Sequence, residues 1–192
     1  MKYNIIYADP PWNYKDQGCS GTMANHYKGM NIDDICNLNV NDICEKDCIL
    51  FMWVTYPMLK EGLKVIDRWG FEYKTIAFQW IKTNKKGLGY FFGLGRWTRG
   101  NTECCLLATK GKPKRLNNSI SQLIIAPVTK HSEKPIEARQ KIVSLVGNLK
   151  RIELFARKKT NGWDSWGNEI DNNVDIQIKN GKRRVIRYGS YR

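Results

Sequence analysis

The sequence is poor in the residues that build metal and redox centres. It has two histidines, and none of its six cysteines forms a C-x-x-C pair. A zinc site needs ligands at short, fixed spacing, and no such set stands out. Cys19, Cys36, Cys44, Cys48, Cys104 and Cys105 read instead as reduced, mostly buried thiols. Cys44 and Cys48 have the spacing to share one face of a helix, whereas the adjacent Cys104 and Cys105 point to opposite faces of a strand. No Gly-x-Gly-x-x-Gly follows a strand, which makes the chain a poor match to nicotinamide enzymes. No apolar run reaches the length of a membrane span, and the start, Met1-Lys2-Tyr3-Asn4, lacks the apolar segment of a signal peptide. A cytoplasmic protein is expected. Acidic residues are scarce: 18 Asp and Glu face 32 Lys and Arg, a net charge of +14. That excess favours a polyanionic partner, most simply nucleic acid, with general solubility as the plainer alternative.

The chain has 192 residues, of which 42% are hydrophobic, and it shows no repeat, low-complexity segment or linker. One domain over residues 1–170 is expected, followed by a basic tail over 171–192. Its organising stretch lies near the start, where the β-forming run Tyr3-Asn4-Ile5-Ile6-Tyr7-Ala8 ends in Asp9-Pro10-Pro11-Trp12. Two prolines cannot donate to a sheet ladder, so the strand must stop there. The residue before a proline is held extended, which puts Asp9 at the carboxyl tip of the strand. In open α/β sheets that end forms the ligand crevice. The Asp9 carboxylate and the Pro10 carbonyl can both accept from an exocyclic amine, and the Trp12 ring can cover a planar base. A proline turn over a buried tryptophan is the alternative.

These residues resemble the Asp-Pro-Pro-Trp signature of amino-group methyltransferases, and with the features below the chain is similar to the MT-A70 family of N-6 adenine methyltransferases. Later motifs follow in the family's order: His131-Ser-Glu-Lys134-Pro135 before a helix, Glu153-Leu-Phe-Ala-Arg157 ending a strand, and Gly162-Trp163-Asp-Ser-Trp166-Gly167-Asn168-Glu169. Arg96-Trp97, shortly before Asn101-Thr102-Glu103-Cys104, matches a loop that leads into a strand in the same family. The resemblance runs from Tyr3 to Glu169. It implies a Rossmann-like three-layer α/β sandwich of the S-adenosylmethionine-dependent type, with target chemistry preceding cofactor binding in the chain. Asp9, Pro10, Pro11 and Trp12 would be catalytic. Lys134 would hold the methionine carboxylate of S-adenosylmethionine, and Arg157 its ribose or carboxylate. Asn168 would serve the cofactor adenine and Glu169 the ribose hydroxyls, with Asp9, Glu153 and Phe155 in the same region. Two departures stand out. The chain starts two residues before its first strand, where longer members carry adenine contacts, and Lys158-Lys159-Thr160 follows Arg157 where the nuclear enzyme has His and Asn.

The rest of the chain reads as alternating strands and helices, which predicts a mostly parallel sheet covered on both faces. Residues 13–30 form a polar loop containing Tyr14, His26 and Tyr27. Asn31 caps a short helix through Leu38. Cys48–Val54 is a fully apolar strand, and Tyr56–Trp69 a helix with Leu59, Leu63, Ile66 and Trp69 on one stripe. Strands are expected over 72–81, 104–109, 122–126 and 151–156, and a helix opens with Pro135 at its first position and stops at Gly147. Residues 82–101 interleave glycines, cations and aromatics, a composition that holds phosphates and stacks bases. Tyr14, Lys82, Arg96, Trp97, Arg99 and Asn101 are the candidate target contacts, with the basic turn Lys110–Arg115 adding to them. Alternation around Asn180-Gly181 predicts a hairpin in the tail. The expected reaction is methyl transfer to the 6-amino group of adenine, on DNA in preference to RNA. Cytosine and a non-catalytic, nucleic-acid-binding partner subunit are the alternatives.

Overall fold

A computed structural model describes residues 1–13, 29–86, 88–95, 97–129 and 133–178. The strands are β1 (Tyr3–Ala8), β2 (Cys44–Val54), β3 (Glu72–Thr83), β4 (Thr102–Lys110), β5 (Leu123–Pro127), β6 (Arg151–Leu154) and β7 (Asp164–Trp166). The helices are α1 (Ile32–Cys36), α2 (Leu59–Arg68) and α3 (Ile136–Val146). All seven strands join one sheet in the order β5-β3-β4-β2-β1-β6-β7. Of these, only β4 runs against its neighbours; β1 is parallel to both β2 and β6, β3 to β5, and β6 to β7. The mostly parallel sandwich expected from the sequence is thus observed.

The period-2 geometry of the strands sorts the core into two layers. Leu50, Met52 and Val54 face the layer closed by α1 and α2, where Ile35, Val65, Ile66 and Trp69 lie. Ile49, Phe51 and Trp53 face the other, closed by Ala138, Ile142 and Val146 of α3. Cys104 and Cys105 divide between the two layers, as adjacent strand residues must. A central strand buried on both faces has to be apolar throughout, which is why the second half of β2 shows no alternation.

Several expectations are corrected. Cys44 and Cys48 lie on β2, not on a helix, because β2 begins four residues early, across a register shift opposite Tyr3 and Ile5. A 3-10 turn over Tyr56–Met58 precedes α2 and rotates its buried face. Met58, Gly62, Val65 and Ile66 point inward, and Leu59 and Leu63 are partly open to solvent. Pro135 occupies the cap position of α3 rather than the first helical one. The strand read over 151–156 ends at Leu154, since Phe155 turns into the left-handed region at φ 62°. The short edge strand β7 was not foreseen.

The start of the tail packs on the domain. Ile176 is buried in the α1/α2 layer, Ile178 bridges to Leu38, and the Asn39 N–H donates to the Gln177 carbonyl at 2.8 Å. The predicted turn at Asn180-Gly181 lies outside the described residues. Among the described residues no helix is long and apolar enough to cross a membrane. No three His, Cys, Asp or Glu side chains among them converge as a metal ligand set.

Candidate active site

The strand β1 sits where the sheet reverses its direction of growth: β2 was added on one side and β6 on the other. Such a switch point opens a crevice at the carboxyl ends of the strands. Asp9 enters it directly from β1. The turn beyond is fixed by the backbone, with the Trp12 N–H donating to the Pro10 carbonyl at 2.8 Å and the Met30 N–H to the Pro11 carbonyl at 2.9 Å. One lone pair of the Pro10 carbonyl is therefore occupied, and one remains for an amine. Trp12 differs from the expected stacking surface. It is 4% exposed, lies within the core, and donates its indole N–H to the Trp53 carbonyl at 3.1 Å. In this arrangement it anchors the turn to β2 rather than presenting an open face.

Asp9 is paired with Lys134, which precedes α3. The Lys134 ammonium donates to both Asp9 carboxylate oxygens at 2.8 Å. It also lies 3.9 Å from Glu103 and over the Trp53 ring, 5.7 Å from its centroid. Glu103 in turn pairs with Lys82 at 3.5 Å, and Lys82 sits over the Trp80 ring at 5.0 Å. Because β4 is antiparallel, its first residues meet the last residues of β2 and β3, and this places Glu103 at the crevice end of the sheet. Burial pushes the Asp9 carboxyl above its ordinary value, against the pull of Lys134. Burial also works against the Lys134 charge, but Asp9 and Glu103 more than offset it, so its pKa is raised and the ammonium persists.

The other candidates separate into two flanks. On the β6/β7 side, Arg157, Asn168 and Glu169 are exposed beyond the strand ends, and Phe155 is half-buried, edge-on to Trp166 with ring centroids 5.5 Å apart. Arg157 is near enough to act electrostatically on both Asp9 and Lys134. Glu153 differs from the expectation: Arg139 holds both its carboxylate oxygens, at 2.9 and 2.5 Å, in a largely buried pair. Arg139 also lies over the Tyr7 ring. On the β3/β4 side, Trp97 is 98% exposed, Arg99 is exposed and Asn101 is half-buried. Lys82 is engaged by Glu103 and 17% exposed, so it braces the site instead of reaching for phosphate. Tyr14 and Arg96 lie outside the described residues.

The basic turn Lys110–Arg115 is at the wrong end of the sheet. It follows β4, whose direction carries it roughly 17 Å along the strand from the level of Asp9, at the usual rise for the steps from Cys105 to Lys110. There Lys110 donates to Asn41 and the Lys112 N–H to Asp47. Glu103, Trp53 and Arg139 were missed as site residues. Trp53 is indistinguishable from core in sequence, while Glu103 carried a signal, a lone acid between a basic loop and an apolar strand.

A three-layer sheet with an acidic Pro-Pro tip at its switch point, and polar side chains beyond β6 and β7, defines an α/β methyltransferase domain. The chain belongs to the MT-A70 family, whose model matches residues 3–169. It is 38% identical to the type II methyltransferase M.MunI of Mycoplasma sp, over 91% of this chain and 81% of that protein. It is 30% identical to the N(6)-adenosine-methyltransferase MT-A70-like protein of Arabidopsis thaliana and to the N(6)-adenosine-methyltransferase catalytic subunit METTL3 of Homo sapiens, over 88% of this chain in each case. Those matches span 24% and 28% of the longer eukaryotic proteins.

Proposed function

We propose that this domain transfers a methyl group from S-adenosylmethionine to the 6-amino group of adenine in nucleic acid, with DNA preferred. The observation that carries the proposal is the Asp9 carboxyl group, both of whose oxygens accept from Lys134 at the tip of β1, in a chain of the MT-A70 family. Lys134 before α3 and the residues beyond β6 and β7 fit the cofactor chemically. Lys134 and Arg157 suit its carboxylate, Asn168 an adenine edge, and Glu169 ribose hydroxyls. When bound, S-adenosylmethionine supplies an electrophilic methyl group on its sulfonium.

The chain's own part is to prepare the amine. An adenine amino group is a poor nucleophile because its lone pair is delocalised into the ring. Asp9 accepts one amine hydrogen and the open lone pair of the Pro10 carbonyl accepts the other, which leaves the nitrogen lone pair more localised. Lys134, Glu103 and Lys82 hold the Asp9 carboxylate in place beforehand, so little reorganisation remains at the moment of reaction. Asp9 is also the nearest base for the proton that the amine gives up. A base within a duplex would have to leave the stack to reach Asp9.

Labelled methyl transfer onto matched DNA and RNA pools, followed by nucleoside analysis, tests the proposal. N-6-methyladenine from DNA is expected, and label on cytosine or on no base would refute it. RNA is the second reading, supported by the N(6)-adenosine methyltransferases among the relatives, and a clear preference for the RNA pool would establish it. Calorimetric binding of S-adenosylmethionine separates the enzyme from a non-catalytic partner subunit. The cytoplasm is the compartment we propose.

A further inference from the structure

The described residues between 82 and 101 form a built ribbon. The Phe91 N–H donates to the Lys82 carbonyl at 2.9 Å, the Asn84 N–H to Gly89 at 3.1 Å, and the Gly93 N–H to Gly100 at 3.1 Å. The two arms come so close that a Cβ on Gly93 would sit 2.4 Å from the Gly100 carbonyl oxygen, and one on Gly95 would sit 2.0 Å from that of Thr98. Only glycine allows that approach. On this frame every second residue from Leu88 to Leu94 is large and apolar: Leu88, Tyr90, Phe92 and Leu94 are each more than half exposed, and Trp97 follows at the tip. The three aromatics alone leave on the order of 500 Å² in water. Monomeric proteins seldom leave more than a few hundred in one patch without a binding role.

The surrounding charge selects the occupant. From Glu72 to Glu103 there is no intervening Asp or Glu, while Lys74, Lys82, Lys85, Lys86, Arg96 and Arg99 fall between them. A second copy docked through the ridge would bring two such basic segments together, each on a chain of net charge +14. A polyanion meets no such repulsion. Leucine has no π-face on which a base can stack, so a single-strand platform leaves Leu88 and Leu94 unexplained. Apolar wedges of Phe and Leu are what proteins drive between the base steps of a duplex, and a two-stranded ribbon fits a groove.

We propose that the ridge Leu88–Tyr90–Phe92–Leu94 is a wedge for double-stranded DNA. It enters the duplex beside the target adenine and occupies the stack that the base vacates for the Asp9 crevice. The proposal rests on the nucleic-acid reading above and adds that the substrate is a duplex.

Three DNAs of one sequence, measured by fluorescence anisotropy in the presence of S-adenosylhomocysteine, test it. They are the paired duplex, the same duplex with one adenine mismatched, and the single strand. Unstacking costs least at a mismatch, so about tenfold tighter binding is expected there than on the other two. Phe92→Ser with Leu94→Ser should abolish that preference and leave affinity for the paired duplex within about twofold, since phosphate contacts are untouched. Equal binding to all three DNAs by the wild type, tightest binding to the single strand, or an unchanged preference in the variant would overturn the wedge. So would a wild-type dimer in sedimentation that the variant converts to monomer. A protein that favours the mismatch yet transfers no methyl group would keep the wedge and refute the enzyme. One that methylates adenine but ignores the mismatch would do the reverse.

Discussion

Lys134 and Asp9 stand 125 residues apart in the chain and 2.8 Å apart in space, one ammonium donating to both oxygens of one carboxylate. Neither group is independent. Asp9 is the counter-ion of Lys134, and Lys134 also lies 3.9 Å from Glu103.

Asp9→Ala separates the counter-ion role from the proposed acceptor role. The amine loses its charged acceptor, and the methyl-transfer rate should fall at least about a hundredfold, the scale of one preorganised polar group. Glu103 remains beside Lys134. Affinity for S-adenosylmethionine should therefore stay within about tenfold, or roughly 1.4 kcal/mol. Single-turnover rates and calorimetry measure the two effects. A near wild-type rate would reduce the motif to a strand-ending turn.

The pH profile carries a second signature. On the proposed mechanism the ionised Asp9 carboxylate is the stronger acceptor for the amine hydrogen, and burial raises its carboxyl above the ordinary value. Activity should be complete above that raised pKa and be lost as pH falls through it, so the acid limb of kcat/KM should lie above the ordinary carboxylate range. Asp9→Asn should remove that limb along with part of the rate.

The two basic segments should behave differently in salt. Neutralising Lys85, Lys86 and Arg99 beside the crevice should reduce the slope of log affinity against log salt by about one for each phosphate that no longer meets a cation. Neutralising Lys112, Lys114 and Arg115 at the far end of β4 should leave the slope unchanged. Equal reductions from both sets would mean that nucleic acid wraps the whole sheet.

Arg139→Met would leave Glu153 charged and largely buried without its guanidinium. A loss of about 3–5 kcal/mol is expected from breaking one side of such a pair. A urea midpoint measures it, and adding Glu153→Gln should recover part of the loss. An unchanged midpoint would show that Glu153 is held by other groups.

Asp9 was legible in sequence because two prolines force a strand to end, and an acid before them has one place to go. Its pairing with Lys134 followed from the resemblance only as proximity to a common site. The 2.8 Å contact depends on how β1 and the residues before α3 meet in space. Lys110–Arg115 was misplaced because the direction of β4 has no local signature: an antiparallel and a parallel strand of these residues read alike. Leu59 and Leu63 were put inside because a helix read from Tyr56 has its stripe rotated from one that starts at Leu59. Three-residue β7 is too short for any periodicity, and it is held by pairing with β6.

The central position of β1 has a consequence for synthesis. Its residues leave the ribosome before the other six strands of the sheet, yet one of its edges has no partner until β6 emerges some 140 residues later. Asp9 waits 125 residues for Lys134, and the Asn39 N–H waits for the carbonyl of Gln177. A nascent chain or amino-terminal fragment thus carries the Asp9 carboxylate without the ammonium that fixes it, and with an open strand edge prone to pair elsewhere. Methylating competence should then arise in one late step, when residues 134–178 dock, and partial translation products should be inert and in need of chaperone cover.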